Sequence, residues 1–391
     1  MFQNPDLTLF TSSLMKIAGA AFASPVALIL LAFAVSVAAA ETPLHETRAL
    51  WAPESAIDTP EEVDALVARM ATANLNVFLP CVYCHGYVYF KNRFMEMPKG
   101  LKEGYDPLAY MLEKAHAAGI EVHPWFCVNY IGTAGAEGGG PILKAHPDFG
   151  ARAPGDTDWE KPEGGVLLGN VQNKEYRDFL VGLMSEMVRD YHVDGLHYDY
   201  IRAGANSYDA ESEKKFRERF GRPMAEAGYE DWVAWHGPAI DDIVRRTTES
   251  ARKFRPGVVI SAAVFTNVAY IMRQGQDAAK WVKNGWLDVV FTMDYEMSTF
   301  LVRFNETDFA SRVKKKAHGV GLSLYMETAP KKHGSRPPAL VLEQIQAVKK
   351  MGVRQFAFFA SSYMDDAILR ALAEGPFREK AVPYHREKSK D

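Results

Sequence analysis

Short apolar segments alternate with amphipathic helical segments along most of this chain. The apolar runs are rich in Val, Phe and Tyr and lack polar alternation, which is typical of strands buried on both faces. Their alternation with helices predicts a parallel sheet. The predicted strands are residues 47–52, 76–83, 121–127, 193–200, 258–265, 287–294, 321–325 and 353–360.

Helical periodicity fills the segments between these strands. The first helix shows the start signals clearly, with Thr59 as its cap and Pro60 at its first position. Eight such units predict the α/β class and a single-domain (β/α)8 TIM barrel. An open doubly wound sheet is the alternative, but no Gly-rich phosphate turn follows strand one. The predicted helices are residues 60–73, 106–118, 174–191, 210–220, 231–254, 277–284, 308–318, 339–351 and a short one ending at 373.

Residues 1–40 have the pattern of an upstream extension followed by a secretory signal peptide. Lys16 precedes the apolar run 17–40, which ends in Ala38-Ala39-Ala40. We therefore expect an exported protein, periplasmic or extracellular. The run is also long enough to be an uncleaved membrane anchor, and only then would the protein associate with a membrane. The barrel is predicted to span 41–375, followed by a charged, disordered tail at 376–391.

Composition narrows the function classes. The net charge is -4 and the chain has no basic block, so nucleic acid is not an expected partner. The aromatic content of 12% suits a sugar site, although a large core uses the same residues. No cofactor is expected, and no Gly-x-Ser-x-Gly elbow of a serine hydrolase occurs.

Strand four carries the strongest catalytic candidate. Its alternation places His197 and Asp199 on one face, with Asp199 at the C-terminal end, where barrel enzymes hold their active sites. A carboxylate there is suited to act as a base or nucleophile. Arg202, three residues on, is expected to hold it ionised by lowering its pKa. The structural alternative is a buried Asp199–Arg202 pair that only closes the strand end.

Strand six supplies a second carboxylate, Asp294, which also falls at a strand end. Glycoside hydrolysis needs two facing carboxyl groups, so Asp294 is predicted to be the acid/base opposite Asp199. The alternative is that Asp294 only orients another residue. Glu296, Glu327 and Glu54, in the loops after strands six, seven and one, are the other acid/base candidates.

Several polar and aromatic residues near strand ends are candidate substrate-binding residues. Trp125 is predicted to stack on a sugar ring and His123 to bond a hydroxyl, although both are also ordinary core residues. The long segment 131–165 after strand three is expected to shape the cleft. The set of binding candidates is His197, Arg202, Trp125, His123, Tyr83, Asn170, Tyr295 and Tyr325.

The chain has three cysteines, too few for a disulfide framework. Strand alternation predicts that Cys81 and Cys84 point to opposite faces, which argues against a shared metal, and no metal site is expected. Cys81 and Cys127 lie on adjacent strands and are predicted to be near neighbours. They form either a disulfide or two reduced, buried thiols, with Cys84 as the odd one.

With these residues in view, the chain resembles the family-10-like glycosyl hydrolases of bacteria, exported TIM barrels distinct from true family-10 xylanases. The most specific piece is Tyr-His-Val-Asp-Gly-Leu-His-Tyr-Asp-Tyr-Ile-Arg at 191–202. Further pieces lie at 119–126, 146–149, 170–177 and 287–295. The resemblance covers roughly residues 47–360.

The resemblance implies a glycosidase acting on a polysaccharide outside the cytoplasm, with cell-wall glycan as one known substrate type. It implies that Asp199 is the strand-four carboxylate and that Asn170 holds the polar position before helix three. Cys81 and Tyr83 stand where the family often has Gln and Arg, and Cys127 where it often has Asn. A barrel that binds carbohydrate without cleaving it, and a deacetylase, are the competing functions.

Overall fold

Eight parallel strands close into a barrel in the computed structural model, which describes residues 43–155, 158–160 and 164–387. The first strand pairs with the last and with the second, so that Trp51 lies opposite both Phe359 and Leu79. The third strand is interrupted at Pro124. Its two short pieces both pair in parallel with the second strand. The strands are β1 (Thr47–Ala52), β2 (Val77–Cys84), β3 (Glu121–Val122 and Trp125–Cys127), β4 (Gly195–Asp199), β5 (Val259–Val264), β6 (Val289–Asp294), β7 (His318–Ser323) and β8 (Gln355–Phe359).

Helices surround the strands and carry the start signals read from the sequence. Thr59 and Glu62 form a reciprocal capping box at the first helix, with Pro60 at its first position. The helices are α1 (Pro60–Thr72), α2 (Pro107–Ala117), α3 (Pro141–Ala145), α4 (Lys174–Asp190), α5 (Ala210–Phe220), α6 (Tyr229–Phe254), α7 (Val268–Arg273), α8 (Ala278–Lys283), α9 (Thr299–Ala310), α10 (Pro338–Lys350) and α11 (Asp366–Glu374). The predicted (β/α)8 barrel is confirmed.

Alternate residues of each strand divide the core into two layers. One layer lies between strands and helices and includes Leu50, Phe78 and Val290. The other fills the barrel and includes Trp51 and Phe291. Gly321 leaves room for the indole of Trp51, because a Cβ there would lie 2.9 Å from the ring. The parity of each strand therefore decides which side chains point into the barrel and which pack against the helices.

The helix between β6 and β7 lies earlier in the chain than its predicted position of 308–318. Ser298 caps α9, which ends at Ala310, and β7 already begins at His318. Phe300 and Phe304 are 72% and 64% exposed, so apolar residues on the outer face hide the amphipathic pattern of this helix.

The segment after β3 contains regular structure within the predicted long loop. Its two ends, Tyr130–Thr133 and Val166–Leu168, pair as antiparallel strands. The short helix α3 lies between them. A second two-stranded ribbon, Tyr325–Ala329 with Lys332–Ser335, follows β7. Both ribbons stand at the C-terminal ends of the barrel strands, a region we call the mouth.

The chain after residue 375 was predicted to be disordered, and as far as residue 387 this is wrong. Phe377 is fully buried, and the guanidinium of Arg48 lies 4.4 Å from its ring. Arg386 and His385 then bond Glu121 at 2.7 and 2.8 Å at the start of β3. Apolar burial and a buried carboxylate hold this segment, despite its charged composition.

The predicted signal peptide, residues 1–40, lies outside the described residues, so that interpretation stays a prediction. Within the described ranges, no helix combines the length and the apolar character needed to cross a membrane.

Candidate active site

Asp199 lies at the C-terminal end of β4, with its side chain inside the mouth. Trp125 on the neighbouring strand donates its indole N–H to Oδ2 at 3.2 Å. The backbone N–H of Tyr200 donates to Oδ1 at 2.6 Å. Tyr200 adopts a left-handed φ of 47°, which is uncommon for a non-glycine residue and directs this N–H onto the carboxylate. Asp199 is therefore held in one orientation from two sides.

Arg202 lies beside Asp199, as the sequence predicted. Its Nη1 is 3.8 Å from Asp199 Oδ1, and its guanidinium stacks over the ring of Tyr200 at 4.0 Å. The expected lowering of the carboxyl pKa is outweighed, because burial raises the pKa of Asp199 more than Arg202 lowers it. The carboxyl thus holds a proton more readily than an exposed aspartate does.

Aromatic rings line the mouth on both sides of Asp199. On one side, the ring of Tyr130 lies 4.2 Å from that of His85 and 5.4 Å from that of Tyr200. On the other side, Tyr295 stacks on Phe359 at 5.4 Å. Such faces suit the apolar faces of sugar rings.

Tyr295 and Tyr325, both predicted binding residues, belong to the second of these clusters. Tyr325 lies 6.1 Å from Tyr295 and 5.4 Å from Tyr363. Burial, followed by the charge of Asp199, raises the pKa of Tyr295. We call Tyr295, Phe359, Tyr325 and Tyr363 the aromatic wall.

Glu54 follows β1 at the mouth and is the second carboxyl group there. Its Oε1 lies 3.6 Å from Nε2 of His85, and its side chain is 30% exposed. Burial raises the pKa of Glu54, and the Cys84 thiol adds to that rise. Cys84 also contributes to the raised pKa of Asp199.

Comparison with known proteins places this chain in a family. The family model described as glycosyl hydrolase-like 10 matches residues 46–335, which include β1 to β7 and Asp199. The chain belongs to this family. The resemblance inferred from the strand-four motif is confirmed.

Two curated relatives carry names of the same class. Glycosyl hydrolase DigH of Escherichia coli strain K12 is 25% identical over 220 residues, covering 50% of this chain and 47% of DigH. Glycosyl hydrolase YngK of Bacillus subtilis strain 168 is 27% identical over 172 residues, covering 43% of this chain and 31% of YngK. The match thus spans less than half the length of either relative.

Solved structures share the barrel with this glycosyl hydrolase-like 10 protein. The PgaB (BpsB) glycoside hydrolase domain of Bordetella bronchiseptica has a TM-score of 0.64 at 13% identity, covering 84% of this chain and 98% of that one. Alpha-L-fucosidase isoenzyme 2 of Paenibacillus thiaminolyticus has a TM-score of 0.61 at 15% identity, covering 84% and 48%. At these identities the likeness concerns the fold.

Asp294 does not face Asp199, which corrects the predicted pairing. The inward positions of β6 are Phe291 and Met293, so Asp294 lies on the helix-facing side. It accepts a hydrogen bond from Asn305 of α9 at 3.3 Å. Burial, followed by the nearby Glu306, raises the pKa of Asp294 to about 7. The barrel wall separates this carboxyl group from the mouth.

His197 and His123, both predicted binding residues, lie inside the barrel below the mouth. His197 accepts from the indole N–H of Trp51 at 2.9 Å and bonds Ser261 at 2.8 Å. Burial lowers the pKa of His197 to about 3, so it is a neutral core residue. His123 bonds Glu121 at 3.1 Å, at the opposite end of the barrel. Neither position is suited to a substrate contact.

Tyr83 and Cys84 exchange their predicted sides because β2 is irregular. The register with β3 shifts between Cys81 and Tyr83, as in a β-bulge. Tyr83 therefore turns outward, where it is fully buried against Phe126 at 5.5 Å. Cys84 turns inward with Cys81, so the prediction that these two cysteines point apart is wrong.

Asn170 braces a loop beside the barrel. Its amide donates to Asp209 at 2.9 Å and to Ser212 at 3.0 Å, at the start of α5. It also lines a cavity of about 500 Å³ together with Arg152 and Lys174. Its predicted contact with substrate stays a prediction, and its bonds already explain a polar residue before α4.

The expected proximity of Cys81 and Cys127 is confirmed. Their sulfur atoms lie 4.0 Å apart, and all three cysteines are free and buried. Strand alternation was sufficient to find this pair, but it missed Cys84. It also missed Tyr130 and Phe359 at the mouth, because no motif marks an aromatic residue as lining rather than core.

Proposed function

We propose that this protein hydrolyses a glycosidic bond of a polysaccharide outside the cytoplasm, with Asp199 as nucleophile or base. The observation that carries the proposal is the inward carboxylate of Asp199 at the mouth, flanked by the aromatic wall and fixed by Trp125 and Tyr200. Catalytic carboxylates of barrel enzymes occupy this end of the strands. Family membership supports the reaction class.

Glu54 takes the acid/base role in this proposal, in place of Asp294. Glu296 and Glu327 are exposed, whereas Glu54 is partly buried beside His85. As the acid, Glu54 gives its proton to the leaving oxygen while the bond to the anomeric carbon breaks. Asp199 attacks that carbon, or takes a proton from the water that does, and water supplies the new hydroxyl.

The aromatic wall supports a sugar polymer as substrate. Tyr295, Tyr325 and Phe359 present ring faces and edges within 6.1 Å of one another beside the carboxylate. Export is part of the same proposal and rests on the sequence of residues 16–40. Cell-wall and secreted glycans are therefore the polymers to test first.

Incubation of the purified protein with cell-wall and secreted glycans in ¹⁸O-labelled water tests the proposal. We expect new reducing ends that carry the label, detected by mass spectrometry, because hydrolysis adds one oxygen from water. Binding of a glycan without new ends across the panel would instead identify a carbohydrate-binding barrel. Release of labelled acetate without chain cleavage would identify a deacetylase.

A further inference from the structure

All three cysteines of the chain converge on one point inside the mouth. Cys81 and Cys84 come from β2 and Cys127 from β3, and their sulfur atoms lie within 4.8 Å of one another. Cys81, Cys84 and Cys127 are 1%, 7% and 2% exposed, respectively. The irregularity in β2 produces this convergence, since a regular strand would turn Cys84 outward.

The spacing of the sulfur atoms matches a tetrahedral metal site. Zinc–sulfur bonds of about 2.3 Å in a tetrahedron separate neighbouring sulfur atoms by about 3.8 Å. Cys81 and Cys127 lie 4.0 Å apart. A few tenths of an ångström would bring this pair to ligand spacing, and at most about 1 Å would bring in Cys84, whose sulfur lies within 4.8 Å of both. A disulfide requires a sulfur–sulfur bond of about 2.0 Å.

A fourth ligand lies beside Cys84. The ligand atoms of Glu54, Cys84 and His85 also fall within 4.8 Å of one another. Nδ1 of His85 lies 3.1 Å from the hydroxyl of Thr133, and Nε2 lies 3.6 Å from Glu54. Polar partners of this kind usually orient a metal-binding histidine.

We propose that Cys81, Cys84 and Cys127 bind one Zn²⁺ ion and that His85 completes the set. His85 approaches Cys84 but not the other two thiols, so its Nε2 must leave Glu54 and move toward the ion, while Nδ1 keeps its bond to Thr133. Three thiolates with one imidazole is an established tetrahedral zinc set, and thiolate ligands favour zinc over magnesium or calcium. Binding releases the three thiol protons to solvent. The bound ion would tie the ends of β2 and β3 together beneath Glu54, and this inference does not depend on the proposed hydrolysis.

The ion can reach this site from the mouth. The side chains of His85 and Glu54 are 39% and 30% exposed, and they lie between the thiols and solvent. A second group, Glu121, His123 and His385, also brings possible ligand atoms within 4.8 Å of one another. Arg386 already pairs with Glu121 there at 2.7 Å, and its positive charge opposes a cation. That group is therefore a matched control.

Zinc binding by the reduced full-length protein, with Zn²⁺ alone as the probe, tests the proposal. We expect one ion per chain by native mass spectrometry after dialysis. X-ray absorption should show three sulfur atoms at about 2.3 Å and one nitrogen. Cys84→Ser should weaken binding at least about tenfold, and His85→Gln should also weaken it. His385→Gln should leave the affinity unchanged.

Wild-type protein gives a readout that does not require the variants to fold. Zinc should raise the melting temperature of the wild-type protein, and a chelator should reverse that rise, because an ion that binds only the folded state stabilises it. The proposal is overturned if protein with three titratable thiols retains no zinc, if Cys84→Ser binds as tightly as wild type, or if X-ray absorption shows no sulfur ligands. A Cys81–Cys127 disulfide with one remaining thiol in the isolated protein would also overturn it.

Discussion

Single residues at the mouth combine burial with a few directed polar contacts. Asp199 accepts from Trp125 and from the Tyr200 backbone, while Arg202 lies 3.8 Å away. A carboxylate fixed in this way keeps one orientation without ordering a new contact during the reaction. Glu54 has fewer such contacts and more solvent, which suits a group that exchanges protons with water.

Glu54→Gln is expected to lower kcat by roughly 10²-fold with little change in KM, because the amide keeps the shape but has no proton to give. Steady-state kinetics on the glycan identified in the screen measures both constants. Glu296→Gln, at an exposed position past β6, is the matched control and should retain wild-type turnover. If both variants lose the same factor in kcat, or neither loses any, Glu54 is not the acid/base.

The position of Asp199 at the C-terminal end of β4 was predictable, because it falls in the most recognisable motif of the chain. Its catalytic role stays a prediction. Sequence reasoning placed Asp294 on the wrong side of the barrel wall, because alternation groups residues by face without saying which face is inside. Tyr83 and Cys84 were misplaced for a different reason: a bulge changes parity in the middle of a strand. Long-range pairing between strands creates that bulge, and the local sequence does not reveal it.

At the scale of elements, a buried polar network joins β6 and β7 to α9. Glu306 is fully buried and accepts from Thr292 at 2.6 Å, while His318 lies 2.6 Å from its other oxygen. Asp294 lies beside this network, and burial together with Glu306 raises its pKa. Asp294 therefore takes part in the packing of β6 against α9, through its bond to Asn305.

Asp294→Asn is expected to change how stability depends on pH. The folded protein holds the Asp294 proton more tightly than the unfolded chain does. The Asp294 contribution to stability therefore declines as pH rises from the ordinary pKa of 3.8 to about 7. The asparagine variant lacks this decline. The melting temperature of the variant minus that of the wild type should therefore be larger at pH 8 than at pH 5. Asp308→Asn, on the exposed side of the same helix, is the control, and identical profiles for all three proteins would contradict the account.

Replacing residues 134–165 by a short turn between the paired strands Tyr130–Thr133 and Val166–Leu168 is expected to raise the Kd for the glycan. It should also lower the melting temperature, because the segment contributes Ile142, Leu143 and Phe149 to the core. The segment follows β3 and stands at the mouth, where such insertions shape the cleft. Isothermal titration with the identified glycan and differential scanning calorimetry measure the two effects. Intact binding with a collapsed melting temperature would show that the segment is a structural brace.

At the scale of the whole molecule, residues 376–387 cover the N-terminal end of the barrel. Residues 376–387 bury Phe377 beneath Arg48 and bring His385 and Arg386 onto Glu121. Burial alone would raise the pKa of Glu121, but its bonds to His123 and His385 hold that pKa well below the usual range. The alternation of strands and helices predicted the barrel, whereas the charged composition of this segment wrongly predicted disorder. The burial of Phe377 and the bonds to Glu121 hold the segment in place.

Removing residues 376–391 is expected to lower the free energy of unfolding by at least about 1.5–3 kcal/mol, the contribution of one fully buried Phe side chain. Chemical denaturation of the truncated and complete proteins measures the difference. A chain ending at residue 387 keeps the Phe377 and Glu121 contacts and should be as stable as the complete protein. If the chain ending at residue 375 is as stable as the complete protein, the segment contributes nothing to the free energy of unfolding.

The turnover of Asp199→Asn beside that of Asp294→Asn tests the central claim most directly. Both variants replace a buried carboxyl group at a strand end by an amide of the same shape, but only Asp199 faces the mouth. We predict that Asp199→Asn keeps the wild-type circular dichroism spectrum and loses at least about 10²-fold in kcat on the identified glycan, while Asp294→Asn retains activity. Wild-type turnover by a folded Asp199→Asn protein, or loss of turnover in Asp294→Asn alone, would contradict the account.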